Sequence, residues 1–456
     1  MGVYPNKDFL VRLIGKVLGS KQADSVSKIL KSDINKKIIS GSFWVLSGTI
    51  ISKGLMLLSS IITARILGAE EYGAVGIIRS TVNMFAVFAG LGVGLVVTKY
   101  IAELKSTDPE RVLRIVKLSN FITLIMGFLI SLGVVVFSQK IALQINAPYL
   151  SKEIKIGAII LFFNVLCGIQ TGMLSGFESY RDIAKNNLIS GILSFFVQII
   201  AAYYWGLIGA VIGFGFNYFS LWFFNKLSVS QLVKKLGRFP SLKQAFIETN
   251  VLWKFGLPSV LSGLMVGPVT WICNVFIVNQ NNGYNEMALF DAANQWRLTM
   301  LFIPTALAQI ILPMMSSSKS NKTEYKEVFV KNFKVNSLIA MGLFLLILVF
   351  SPIIVKSYGS DFNDLYLPLF ILSFSTVFVA VNNVLGQYLA SQDKMWLGFG
   401  FNLLWAFFLI LMSYYLIKIK GYGAVGLSIS YCISYLLHSV FQFIYVKVKI
   451  LPKYED

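Results

Sequence analysis

LIAMGLFLLILVF (residues 338–350) and FNLLWAFFLILMSYYL (401–416) decide the architecture, because both are apolar on every face of a helix and neither alternates polar with apolar. A half-buried strand alternates with a period of two, and a membrane β-barrel repeats that alternation in segments of about ten residues. Lipid is otherwise spanned by helices, which satisfy their own backbone hydrogen bonds and need about 20 apolar residues to cross the hydrocarbon core. Similar runs recur along the chain and give estimated spans at 43–65, 73–98, 115–137, 156–177, 186–204, 207–225, 255–278, 287–313, 335–355, 365–390, 395–417 and 424–446. The composition agrees. Hydrophobic residues make up 56% of 456 positions and charged residues only 13%, about half the share of a soluble domain. The mean hydropathy is +0.71. The sequence therefore predicts an all-α membrane protein of about twelve transmembrane helices.

Charge orients the spans. With the N-terminus inside, the loops on that side carry 30 of the 40 basic residues, the opposite loops carry 6, and Lys53, Arg65, Arg79 and Arg297 fall within spans. Lys and Arg in short loops mark the cytoplasmic side, so both termini are expected there, in the cell (plasma or inner) membrane. The net charge of +19 is then a topology signal plus attraction to anionic membrane lipids, and nucleic acid need not be invoked. Residues 1–42 hold Phe9, Leu10, Leu13, Ile14, Val17 and Leu18 at helical spacing among lysines, without the apolar core of a signal peptide. That segment reads either as an amphipathic helix on the membrane surface or as a basic cytoplasmic tail. Residues 447–456 form a second basic tail.

Two segments resemble each other at an offset of 211: LSGFESYRD (174–182) and LGQYLASQD (385–393). The same offset pairs Trp44 with Phe255, and Gly209-Ala210-Val211 matches Gly423-Ala424-Val425 at 214. These matches predict two six-helix lobes, 43–225 and 255–446, joined by a cytoplasmic linker at 226–254. Six spans per lobe make both enter from the same side, so a pseudo-twofold axis would run along the membrane normal. Duplicated lobes of this kind are a mark of secondary transporters.

Cys167, Cys273 and Cys432 are far apart and His438 stands alone, so no metal site, redox centre or cofactor is expected. His438 is expected to pack rather than to relay protons. Ionisable residues inside spans are costly and usually face a protein-lined cavity. Lys53, Arg79 and Arg297 fit that rule, with Asn83 one turn from Arg79 and Asn294 one turn before Arg297. Arg65 lies at a span end, where snorkelling to the interface and a cavity role are both open. Asp291 is either a structural partner of an arginine or a titratable coupling site. Four cations against one anion suit a phosphate or diphosphate better than an organic cation. Pro258, Gly263, Gly267, Pro268, Pro304 and Pro313 mark spans that bend in gating or are statically kinked.

The stretch FWVLSGTIISKGLMLLSSIITARILGAEEYGAVGIIRS (43–80), followed by FAGLGVGLVVTKYIAE (88–103), resembles the polysaccharide-transporter branch, the O-antigen and lipid-linked oligosaccharide flippases, of the multidrug/oligosaccharidyl-lipid/polysaccharide flippase superfamily. The resemblance runs from about 38 to 446 and is strongest in the first hundred residues and around GFESYRD. It implies a carrier of lipid-linked oligosaccharide built as two six-helix bundles around a basic cavity, with Lys53, Arg65, Arg79, Asp291 and Arg297 at the carried-over positions. A glycan polymerase or export machinery is the expected protein partner. One departure is that span 7 has no basic residue in its core, only Lys254 at its mouth. The competing expectation is an H⁺- or Na⁺-coupled exporter of small drugs or metabolites, which would want a carboxylate embedded in the first lobe. A membrane glycosyltransferase is disfavoured because the longest external loop, 138–155, offers only Glu153, so no enzyme is expected. A major-facilitator carrier is disfavoured because 99–117 lacks a Gly-x-x-x-Asp-Arg signature.

Overall fold

The computed structural model describes residues 33–90, 92–249, 265–317, 322–392 and 394–449. The amphipathic stretch from Phe9 to Leu18, Lys254, Pro258, Gly263, Asp393 and the C-terminal tail beyond residue 449 lie outside them. Thirteen α-helices and no strand occur among the described residues. They run as α1 Asp33–Gly90, α2 Val93–Leu104, α3 Pro109–Val136, α4 Ser138–Gln144, α5 Ser151–Gly176, α6 Tyr180–Lys234 and α7 Leu242–Phe246. The second half holds α8 Val266–Val278, α9 Gly283–Ser317, α10 Lys322–Tyr358, α11 Tyr366–Ser391, α12 Met395–Ser413 and α13 Gly423–Lys449.

Eight of the described stretches are long and apolar enough to cross a membrane. Two of them, Gly48–Gly90 and Tyr180–Lys234, have 43 and 55 residues. As straight helices they would measure about 65 and 80 Å, more than twice a hydrocarbon core of about 30 Å. Each is broken once. Gly68 (φ 75°, ψ 177°) and Gly206 (φ 55°, ψ −133°) take left-handed backbone that side-chain-bearing residues resist, and the chain folds back as two antiparallel arms. Contacts across each break confirm the hairpins. The Ser60 and Tyr72 hydroxyls hydrogen-bond at 2.6 Å, and a Cβ at Gly209 would clash with the Ala201 carbonyl. Counting arms, the eight stretches make ten crossings. The short α8 and the charge-interrupted α9 pack beside them.

Several helix ends are written locally. Asp108 accepts a hydrogen bond from the Arg111 amide, with Pro109 at the first helical position, and so starts α3. Gly92, in left-handed backbone, separates α1 from α2 and interrupts the single span expected over 73–98. α9 stays helical through Pro304 and Pro313. The helices α5 and α11 are both 26 residues long and begin 215 positions apart (151 and 366), as do α6 and α12 (180 and 395). Helix ends are thus one turn out of register with the offset of 211 that the sequence comparison gives.

The largest buried cluster spans both halves of the chain. It brings Tyr72 and Ile77 of α1 against Ile277 of α8, Phe290 of α9 and Tyr358 of α10. Smaller clusters stay within one half, around Val97 and Ile115 in the first and around Tyr325 and Tyr388 in the second. Large side chains such as Leu338, Val349 and Ile353 point outward, as a lipid-facing surface requires.

Candidate functional site

The second arm of α1 meets α9 at unusually short range because the residues between them are small. A Cβ at Gly73 would clash with the Tyr284 carbonyl oxygen, and one at Gly76 would lie 3.1 Å from the Asp291 Cβ. This approach lets side chains one turn further along reach across. Arg79 Nη1 donates to Asp291 Oδ2 at 3.0 Å, with the two side chains only 13% and 7% exposed. Hydrogen bonds from α8 fix the same seam: Trp271 Nε1 donates to Thr81 Oγ1 at 3.0 Å, and Asn274 Nδ2 to Ser80 Oγ at 2.8 Å.

The Arg79 guanidinium also stacks over the Phe214 ring, 5.1 Å from its centroid. Tyr72 and Tyr218 lie within its electrostatic reach. Its buried Nε has no hydrogen-bond partner among the described residues, so donor capacity remains beside the ion pair. Arg297, also buried, donates from Nε to Asn294 Oδ1 at 2.9 Å and sits over Tyr431 and Tyr435 of α13, at 5.0 and 5.8 Å. Asp291 and Arg297 are six residues apart, about 9 Å along α9. Lys53, exposed on the first arm of α1, has its Nζ 5.9 Å from the centroid of Phe302, further along α9. Asp291 and Phe302 therefore share a face of α9 and each meets a cation from α1, whereas Arg297 lies about 120° round the helix from Asp291.

The structure separates the remaining candidates from this group. Asn83 is exposed one turn past Arg79 and makes no side-chain hydrogen bond among the described residues. Arg65 is twelve residues from Lys53, about 18 Å along the helix, and lies beside Gly359 at the other end of the arm. Asp291 is engaged as an ion-pair partner. His438 contacts Gln442 at 2.9 Å and packs near Phe401. No group of three His, Cys, Asp or Glu among the described residues is placed to hold a metal ion.

Sequence reasoning did not single out the aromatic side chains around the arginines. Tyr431 and Tyr435 carry a readable signal, an i, i+4 pair on the last helix. Tyr72 stands in the quoted AEEYG stretch. Phe214, Tyr218 and Phe302 have no signal, because an aromatic residue in an apolar run looks the same whether it faces lipid, core or cavity.

Comparison with known proteins bears on this arrangement. The family described as "Polysaccharide biosynthesis protein" matches residues 62–366. The EPS I polysaccharide export inner membrane protein EpsE of Ralstonia solanacearum is 22% identical over 415 residues, covering 89% of this chain and 92% of the relative. Among solved structures, the inward-facing conformation of a multidrug resistance MATE family transporter of the MOP superfamily matches with a TM-score of 0.71 at 16% identity, over 91% of this chain and all of that one. A MOP superfamily transporter from Pyrococcus furiosus, described by the reverse polarity of its binding pocket, matches with a TM-score of 0.66 at 18% identity, over 94% of this chain and 98% of its own.

Proposed function

Because the chain belongs to the polysaccharide biosynthesis protein family, within the polysaccharide-transporter branch of the MOP superfamily, we propose that this multi-pass membrane polysaccharide transporter is a flippase. Its cargo is a polyprenyl-diphosphate-linked oligosaccharide, moved from the inner to the outer leaflet. The observation that carries this reading is the cationic set along α9. Arg79 and Arg297 are held by ring faces and few oxygen partners, with the buried Nε donor of Arg79 left over, and Lys53 flanks them. Cations held between the membrane's water-poor walls by rings attract phosphate oxygens more strongly than cations in water do.

The diphosphate engages Arg79 in competition with Asp291, while the lipid tail stays in the bilayer. Since Arg79 and Asp291 belong to opposite halves, exchange of a carboxylate for a phosphate loosens the seam just when cargo is bound. Rocking of the halves then exposes the cavity to the other side. The basic-residue bias supports cytoplasmic termini and an outward-facing Gly68 end. The two-lobe division and the linker read from the sequence are part of this proposal. A glycan polymerase or the export machinery downstream is the partner that consumes the flipped product.

The exporter of small drugs or metabolites shares this fold, as the MATE likeness shows. It is less well supported by the charges. In the first half the described carboxylates sit at helix ends or in loops, such as Glu153 in the first turn of α5, and none lies mid-span. For the Pyrococcus furiosus protein, reverse pocket polarity is what suggests a different function, and pocket charge is likewise what favours an anionic cargo here. Reconstitution into liposomes separates the two readings. The flippase moves a fluorescent polyprenyl-diphosphate oligosaccharide between leaflets and leaves cationic dyes behind; dye transport without lipid movement selects the exporter.

A further inference from the structure

Arg65 does not join the cavity cations, yet it is not simply an isolated interfacial anchor. It lines an open cleft of about 530 Å³ whose other wall comes from the second half: Lys356 near the end of α10, Ser360 and Asn363 of the following 3₁₀ turn (Ser360–Leu365), and Tyr366. Gly359, at φ 103°, makes the turn possible, and a Cβ there would lie 3.8 Å from Arg65 Cγ and Nε. Two carboxylates share the turn. Asp361 accepts from the Ser360 hydroxyl at 3.2 Å and faces Gly68, and Asp364 follows it. Neither forms an ion pair with Arg65 or Lys356, and no other described carboxylate does so within 4.0 Å.

The placement is informative because basic residues are scarce at this end of the molecule. Arg65 lies three residues before the break at Gly68, and Lys356 three before Gly359, so both sit where a span leaves the hydrocarbon and lipid phosphates lie. Two of the few cations on this side converge on one cleft, from opposite halves of the chain, beside two hydroxyls and an amide. Snorkelling alone would direct each to the lipid at its own helix and does not require convergence.

We infer that the cleft between Arg65 and Lys356 binds the phosphate of an anionic lipid, bridging the two halves at the Gly68 end of the protein. The inference rests on the membrane placement proposed above, but not on what the central cavity carries. A ligand held by both halves binds best when this end is closed, and so it shifts the protein towards that state. The phosphate can come from a leaflet phospholipid or from the diphosphate of a polyprenyl lipid on its way out.

The test is retention of lipid by the purified full-length protein in detergent, read by native mass spectrometry. The probes are phosphatidylglycerol, a polyprenyl diphosphate and, as the neutral reference, phosphatidylcholine. The wild type is expected to retain at least one of the two anionic lipids over phosphatidylcholine. Juxtamembrane basic residues contribute about 1 kcal/mol each, so Arg65→Ala with Lys356→Ala should weaken retention about thirtyfold (about 2 kcal/mol). The charge-preserving pair Arg65→Lys with Lys356→Arg should retain it, which separates lost charge from lost folding. A loss confined to phosphatidylglycerol identifies leaflet phospholipid as the ligand, and one confined to the polyprenyl diphosphate identifies the carried lipid. Equal retention by the alanine pair, or no preference over phosphatidylcholine in the wild type, overturns the inference. Retention is read without transport, so this result and the flippase assay fail independently.

Discussion

Asp291→Asn is the substitution that separates a competing carboxylate from a merely structural one. In the structure the Asp291 Oδ2 occupies one donor of Arg79 at 3.0 Å. A phosphate taking another donor of the same guanidinium would lie about 6 Å from that carboxylate. At an effective dielectric of 20 the two negative charges repel by about 3 kcal/mol. Asparagine keeps the size and can still accept a hydrogen bond from Arg79, but it removes the repulsion. Binding of a polyprenyl diphosphate should therefore tighten by roughly a hundredfold, measured by fluorescence quenching in detergent or nanodiscs. Turnover should fall, because the exchange that returns Arg79 to its carboxylate is lost. Arg79→Ala is the converse case. It leaves Asp291 buried and unpaired, a defect that costs about 3–5 kcal/mol, so it should lower thermal stability, and adding Asp291→Ala should restore part of it. Unchanged or weaker diphosphate binding in Asp291→Asn would refute the competition.

Two further outcomes follow from geometry alone. Gly73→Ala places a methyl group against the Tyr284 backbone carbonyl, which cannot swing aside; overpacking of this kind costs about 1–3 kcal/mol, so the melting temperature should fall, whereas Gly54→Ala, with nothing within 4 Å of the new Cβ, should melt like the wild type. Glu248, buried between α7 and α3, accepts from Arg111 Nε at 3.0 Å and Arg114 Nε at 3.2 Å; because those arginine side chains are 38% and 26% exposed, the pair is discounted to about 1 kcal/mol, and Glu248→Ala should speed tryptic cleavage between residues 234 and 246 about fivefold, with an unchanged rate arguing that the segment is held by Phe121–Phe246 packing instead.

The sequence made the spans legible because lipid imposes a crude and continuous demand, an apolar run of sufficient length. It also marked the break near Gly68, since LGAEEYG interrupts two apolar runs. It did not mark the break at Gly92, where Gly-Leu-Gly sits inside an apolar stretch and only the backbone reveals the turn. Motif matches at an offset of 211 suggest a repeat, while the corresponding helices begin 215 positions apart, a difference that does not change which positions are hydrophobic. At the site, Arg79 and Asp291 were readable as ions embedded where ions are costly, and their pairing was one of the open alternatives. That Arg65 and Lys356 share a cleft was not readable, because 291 positions separate them and no periodicity reports a contact between halves. Phe214 and Tyr218 beside Arg79 and Phe302 beside Lys53 were hidden for a simpler reason, since Phe and Tyr are the ordinary filling of such helices.

The most direct test of a cationic cavity that carries a diphosphate is leaflet-to-leaflet movement of the fluorescent polyprenyl-diphosphate oligosaccharide by a variant that lacks both buried arginines but is still packed. Arg79→Gln with Asp291→Asn and Arg297→Gln removes the two arginine cations without leaving a buried carboxylate behind. The account predicts that this variant inserts and melts nearly as the wild type does, and moves no more lipid than protein-free liposomes. Movement at the wild-type rate would contradict it.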